Sequence, residues 1–208
     1  MDQSRYHQRP VTAHLKGLYT ELVLASTSPS RRALMTGLGM PFRAETPGVE
    51  ETVPPGTTTR AAVAMLAERK ARAVLGRWPQ ALVIGADQLV DLDGKALGKP
   101  IDANAARKQL ESLSGRTHEI LTGVCVVGPG YFACDVDVAK LTVFPLQADE
   151  LDRYVRLGEW EGCAGAYRIE GRGQALFSAV DGDRTSVQGL PMPLLTRLLR
   201  EAGLSFFH

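Results

Sequence analysis

"ALVIGADQLVDLDGKALGKP", Ala81 to Pro100, is the stretch on which the fold turns. Ala81 to Gly85 are apolar without alternation, the pattern of a strand buried on both faces. Leu89-Val90 resume the apolar run beyond Asp87-Gln88, and Asp93-Gly94 is a type I′ hairpin signal. Lys95 to Lys99 are therefore expected to return antiparallel and to stop at Pro100. A strand covered on both faces needs helices above and below it, and the flanking sequence supplies them.

Upstream, Leu22 to Ala25 read as another buried strand, and Pro29 to Leu38 as a short helix ended by Gly39. A loop rich in Pro, Gly and Glu runs from Thr46 to Gly56. Thr57 to Thr59 then offer N-caps for a long helix ending near Arg77, with an apolar stripe of Val63, Ala67, Ala71 and Val74. Downstream, Asp102 caps a helix that carries Ala106, Leu110 and Leu113 on one face. "HEILTGVCVV" and "YFACDVDVAKLTVFPL" read as long strands joined at Gly128-Pro129-Gly130. Asp149 to Leu157 and "PMPLLTRLLREAG" are further helices. Strands alternating with helices, without internal repeats, predict an α/β fold with a mixed sheet.

A chain of 208 residues with 44% hydrophobic and 23% charged residues suits one substantial core, divided or not into two lobes or two small domains. The formal net charge of +1 offers no broad footprint for nucleic acid or membrane, so anion binding must come from local clustering. No apolar run approaches the roughly 18 residues of a membrane span. Cys125, Cys134 and Cys163 form no CxxC pair and are odd in number, which predicts small reduced side chains rather than disulfides or a zinc site. The polar opening "MDQSRYHQRPVTAHLKG" lacks the apolar centre of a signal peptide. Residues 1–19 are accordingly read as a disordered tail, 20–208 as one domain, and the cytoplasm as its location.

Several residues are placed oddly for structure alone. Ser26, Thr27 and Ser28 end a strand and open a helix whose first turn carries Arg31 and Arg32, against the helix dipole. Either the arginines are solvated, or hydroxyls, free N–H groups and guanidinium groups together receive an anion. Lys70 falls on the apolar side of its helix, snorkelling or aimed into a cleft. Asp87 stands at a strand end, where it is a turn residue, a general base or a Mg²⁺ ligand. Arg31, Arg32, Lys70 and Lys99 together suit a triphosphate. Glu50 and Glu51 lie in a solvated loop, and either would complete a Mg²⁺ site with Asp87. Glu170, in "AGAYRIEGRG", is an exposed turn residue or a carboxylate matched to the paired donors of guanine. His118 lacks a nucleophile elbow to serve and reads as structural, and there is no P-loop.

Assembled, "LASTSPSRRALM", "LAERKA", "GADQ", "GKP", "SGRTH", "AGAYRIEGRG" and "GLP" make the chain, from about Leu22 to Gly203, resemble the Maf family of nucleoside triphosphate pyrophosphatases. The resemblance implies a two-lobed α/β fold around a central cleft, similar to inosine triphosphate pyrophosphatases, a homodimer, and dependence on Mg²⁺ or Mn²⁺. It implies hydrolysis between the α and β phosphates, with Asp87 as catalytic base and Asp87 with Glu51 toward metal. Ser26, Ser28, Arg31, Arg32, Lys70 and Lys99 would bind substrate, and Ser30, Gln88 and Glu170 would set specificity. Gln88 and Glu170 match the branch acting on 7-methyl-GTP, whereas threonine and glutamine there mark the branch acting on dTTP and UTP. Ser30 departs from the bulky aromatic that the 7-methyl-GTP branch can carry, and a serine cannot stack on a cationic base. A reading from another class is a nucleotide-binding regulator, since the Maf name is associated with inhibition of septum formation. A binder of capped RNA ends is disfavoured by the balanced charge.

Overall fold

The computed structural model describes residues 18–207; the expected N-terminal tail lies largely outside them. The sheet contains β1 (Leu22–Leu24), β2 (Arg43–Ala44), β3 (Leu82–Leu92), β4 (Lys95–Leu97), β5 (Thr117–Gly128), β6 (Tyr131–Val143) and β7 (Phe177–Asp181). The helices are α1 (Pro29–Gly37), α2 (Thr59–Leu75), α3 (Ala103–Leu113), α4 (Ala148–Arg156), α5 (Arg184–Val187) and α6 (Met192–Glu201), with 3-10 turns at Ala164–Ala166 and Arg172–Leu176. Strand order is β2-β1-β3-β5-β6-β7, and β4 also pairs with β3.

β3 is the axis. One of its edges pairs antiparallel with β5 from Val83 to Asp91. Its other edge is shared: β1 runs parallel to it at Leu82–Ile84, and β4 runs antiparallel at Val90–Leu92. The predicted hairpin supplies β4, with Asp93 and Gly94 at the positive φ of a type I′ turn. Between Ile84 and Val90 this edge has no strand partner among the described residues, and the sheet is split there. Asp87 is in the middle of that opening.

α2 crosses one face of the sheet at backbone contact. A Cβ on Gly85 would come within 2.1 Å of the Ala67 carbonyl oxygen, and one on Gly123 within 2.4 Å of that of Val63. Any larger residue at either position would lift the helix, and with it Lys70. The opposite face carries two separate apolar clusters, the cores of the two lobes. One gathers Met35 of α1, Leu195 and Leu199 of α6, and Leu24 and Ile84. The other gathers Leu110 of α3, Leu151 and Tyr154 of α4, Val90 and Ile120. Burying clusters of this kind at about 25 cal/mol per Å² is the main force holding each lobe.

The cysteine expectation is corrected. Cys125 and Cys134 are disulfide-bonded across β5 and β6, and only Cys163 is free. The two-residue connection Pro129–Gly130 sets a register in which Cys125 faces Cys134 directly. Spacing rules for CxxC motifs do not register such a pair, because the hairpin rather than the local chain brings it together.

Candidate active-site cleft

The deep end of the cleft starts where β1 gives way to α1. Ser26 is buried, and its Oγ accepts a hydrogen bond from Ser28 N at 3.2 Å. Ser28 is the N-cap of α1 and accepts from Arg31 N, so the hydroxyls shape the turn and α1 starts without an acidic first turn. Arg31 turns inward, and its Nε donates to Gly189 O at 2.7 Å. Burial lowers the pKa of its guanidinium, and the charges of Asp87 and Glu51 oppose that shift. Arg32, by contrast, is exposed, and its side chain makes no hydrogen bond or ion pair among the described residues.

Lys70, 5% exposed, comes down from α2 onto Asp87, which is 6% exposed. Its Nζ lies 2.5 Å from Asp87 Oδ1 and 2.6 Å from Glu51 Oε1. Desolvation raises the pKa of Asp87, while Lys70 and Arg31 restrain the rise. Glu51 is held low, first by its hydrogen bond from Lys70 and then by the charges of Lys99 and Arg31. Of the two loop glutamates, it is Glu51 that reaches the lysine, and Arg69 explains how: its Nη1 donates to Glu50 O and to Thr52 O, both at 2.8 Å, and so straddles Glu51.

The two-residue period of β3 sends Asp87 and Gln88 to opposite faces. Gln88 Nε2 donates to Ser186 O at 2.6 Å, to Val187 O at 3.2 Å and to Thr122 Oγ1 at 3.1 Å. Ser30 is half-buried in the first turn of α1. Lys99 is exposed after β4, and its charge acts both on Glu51 and on Cys163. Glu170 is exposed, and its charge, like that of Lys99, acts on Cys163.

The loop carrying Glu170 is held by residues that no motif singles out. Glu159 accepts from Arg172 N and Gly173 N, each at 3.0 Å, and Tyr154 Oη accepts from Arg168 N at 3.1 Å. A Cβ on Gly171 would fall 2.6 Å from Glu159 Oε1, and one on Gly173 2.6 Å from Tyr154 Oη, so the glycines are what let the clamp close. Glu159 lies on a glycine-flanked turn after α4 and offers no pattern to find it by; only the fold brings it under residues more than ten positions away.

Asp87 and Glu51 converge on a single cation, and the chemistry of that donor pair fits Mg²⁺ or Mn²⁺, which typically takes one or two carboxylates plus substrate oxygens. Among the described residues there is no group of three or more His, Cys, Asp or Glu able to form a cage by itself. Nor is any helix among them long and apolar enough to cross a membrane.

Fold and site define a two-lobed α/β protein with a cationic cleft closing on a buried carboxylate at the split of its sheet. The Ham1 protein of Staphylococcus aureus has the same fold, with a TM-score of 0.52 at 16% identity over 87% of this chain and 98% of that one. The family described as Maf-like protein matches residues 21–202, and the chain belongs to that family. It is 45% identical over 186 residues to a protein of Xanthomonas campestris pv. campestris named 7-methyl-GTP pyrophosphatase, covering 88% of this chain and 97% of that protein. It is also 45% identical over 185 residues to a protein of Pelotomaculum thermopropionicum named dTTP/UTP pyrophosphatase, with the same two coverages.

Proposed function

We propose that the protein is a nucleoside triphosphate pyrophosphatase that cleaves between the α and β phosphates, releasing a nucleoside monophosphate and pyrophosphate, with 7-methyl-GTP as its preferred substrate. The observation that carries this reading is the Lys70 ammonium held between Asp87 and Glu51, with the charge of Arg31 acting on both carboxylates. In this reading Arg31, Arg32, Lys70 and Lys99 bind the phosphates, and Ser26 and Ser28 fix the turn against which they lie. Asp87 accepts a proton from water as that water attacks the α-phosphorus in line, and the pyrophosphate leaves from the opposite side. Mg²⁺ or Mn²⁺, held by Asp87 and Glu51, would neutralise charge developing on the phosphate oxygens.

Glu170 faces the base, its carboxylate suited to the paired N–H donors of guanine. Ser30 leaves the position before the two arginines without a ring to stack. Gln88 bonds α5, so any influence it has on the base is exerted through α5. The equal identity to the dTTP/UTP pyrophosphatase supports a second reading in which those nucleotides are the substrates. A homodimer, implied by the family resemblance, and a cytoplasmic location, expected from the polar N-terminal sequence, belong to the proposal.

The test is pyrophosphate release by the purified protein with Mg²⁺ or Mn²⁺ across 7-methyl-GTP, GTP, dTTP, UTP, CTP and ATP. Preference for 7-methyl-GTP supports Glu170 as the selector and shows that Ser30 suffices. Preference for UTP or dTTP establishes the second reading, and release from none of them moves the assignment to a nucleotide-binding regulator.

A further inference from the structure

We propose that Gln88 is a positioning residue for Arg31, acting across the protein through α5 and Gly189; the inference rests on the reading of Arg31 as a phosphate ligand. The Ser186 carbonyl is the hub of this link. It accepts from three donors: Gln88 Nε2 at 2.6 Å, Thr122 Oγ1 at 3.1 Å and Gly189 N at 2.8 Å. Two of these come from neighbouring strands of the sheet, Gln88 on β3 and Thr122 on β5, which are directly opposite one another in register. The third belongs to the segment being held. α5 has only four residues, so its terminal carbonyls lack partners within the helix and are free to be taken by the sheet.

Gly189, two residues beyond α5, is the point of delivery. Its carbonyl receives Arg31 Nε at 2.7 Å. Its φ of +100° excludes most side chains, and a Cβ there would approach Arg31 Nε to 3.3 Å. Leu190, fully buried, donates from its N to Thr185 O at 3.0 Å and anchors the segment from the other side. The carbonyl that holds Arg31 therefore cannot drift while Gln88 and Thr122 hold Ser186. With Nε engaged, the two Nη groups of Arg31 are left to face an anion side by side, the bidentate arrangement that suits a phosphate. One strand thus sets both halves of the chemistry, with Asp87 on one face and, through Gln88, Arg31 on the other.

A base-selecting Gln88 and a Gln88 that merely caps α5 both predict different behaviour from a Gln88 acting through Arg31. The experiment is a double-mutant cycle on Gln88→Leu and Arg31→Ala, read by calorimetric binding of inorganic tripolyphosphate, which carries no base. Gln88→Leu is expected to weaken binding about 10-fold, the equivalent of one well-formed hydrogen bond lost from the site. In the Arg31→Ala background it should cause no further loss, and the kcat/KM ratio of 7-methyl-GTP to UTP should stay unchanged. Equal weakening in both backgrounds overturns the inference, as does a changed ratio with tripolyphosphate binding intact. If the protein fails to bind tripolyphosphate, or Arg31→Ala leaves that binding as tight as in the unaltered protein, the phosphate reading falls and takes the inference with it. Should Gln88→Leu not fold, Gly189→Ala perturbs the same link from its other end and must show the same dependence on Arg31.

Discussion

Lys70 and Asp87 are almost wholly buried and meet from a helix and a strand, whereas Glu170 is exposed on a loop whose main chain is held from beneath. The deep end of the cleft gets its geometry from packing: α2 lies at backbone contact with β3 and β5, and the charged groups go where the layers put them. The rim gets its geometry from hydrogen bonds, with Glu159 and Tyr154 fixing the Arg168–Gly173 backbone while the Glu170 side chain stays in solvent. Burial perturbs protonation and ties the site to the stability of the fold. The Glu170 side chain stays outside that packing, so the part proposed to read the base can change without disturbing the part proposed to break the phosphate bond.

Asp87→Asn strikes the deep end hardest: turnover should fall about 10²- to 10⁴-fold with nucleotide binding retained, measured by pyrophosphate release and by calorimetry. The same carboxylate sets the acid limb of the rate. It works ionised, so activity should fall as acidification protonates it. Near wild-type turnover in the variant would remove Asp87 from the role of base. Lys70→Met leaves Asp87 buried without its ammonium and should cost about 3–5 kcal/mol of stability in urea unfolding, with Asp87→Asn recovering part of it.

The rim answers to a different group. His118 is buried, hydrogen-bonds Tyr167 Oη at 2.7 Å just ahead of the Glu170 loop, and has its pKa lowered by burial from 6.5 to about 4. A histidine with a depressed pKa stabilises the fold fully above its unfolded value and loses that contribution as pH falls toward the folded one. Melting temperature should therefore drop between pH 6.5 and about 4, corresponding to roughly 3 kcal/mol, and His118→Phe should flatten that drop. The smallest effect expected is from Glu159→Gln, which weakens the clamp: selectivity between 7-methyl-GTP and UTP should fall by about 10-fold or less while the better rate holds. A large fall in turnover on both nucleotides would show that the two ends are not separable.

Much of this is legible in the sequence, and for identifiable reasons. The β3–β4 hairpin is written in Asp93-Gly94, α2 in its threonine cap and stripe, and the unusual position of Lys70 in its place on that stripe. These are local patterns, and the structure keeps them within one or two residues. The two-residue β2, the exposed β7 and the four-residue α5 were missed because segments so short or so solvated carry no periodicity. The pairing of Cys125 with Cys134 follows from a strand register that sequence spacing does not express. Gln88 meets Ser186 and Val187 almost a hundred positions away, and Glu159 meets a loop backbone rather than a side chain. Contacts of that kind are made by packing, and a carbonyl has no residue type by which to read it.

The unpaired stretch of β3 has a further consequence. Ile84 O receives Ala25 N from β1, so the alternation of the strand turns the peptide groups of Ala86 and Gln88 toward the same open side. Those donors and acceptors require partners, and at Gln88, which unlike the fully buried Ala86 keeps some exposure, a molecule lying against the gap is in a position to provide them. Recognition made that way belongs to the chain trace rather than to any residue's identity. It is indifferent to which amino acid occupies the position, short of proline, and would persist through sequence drift for as long as the gap between the neighbouring strands is kept.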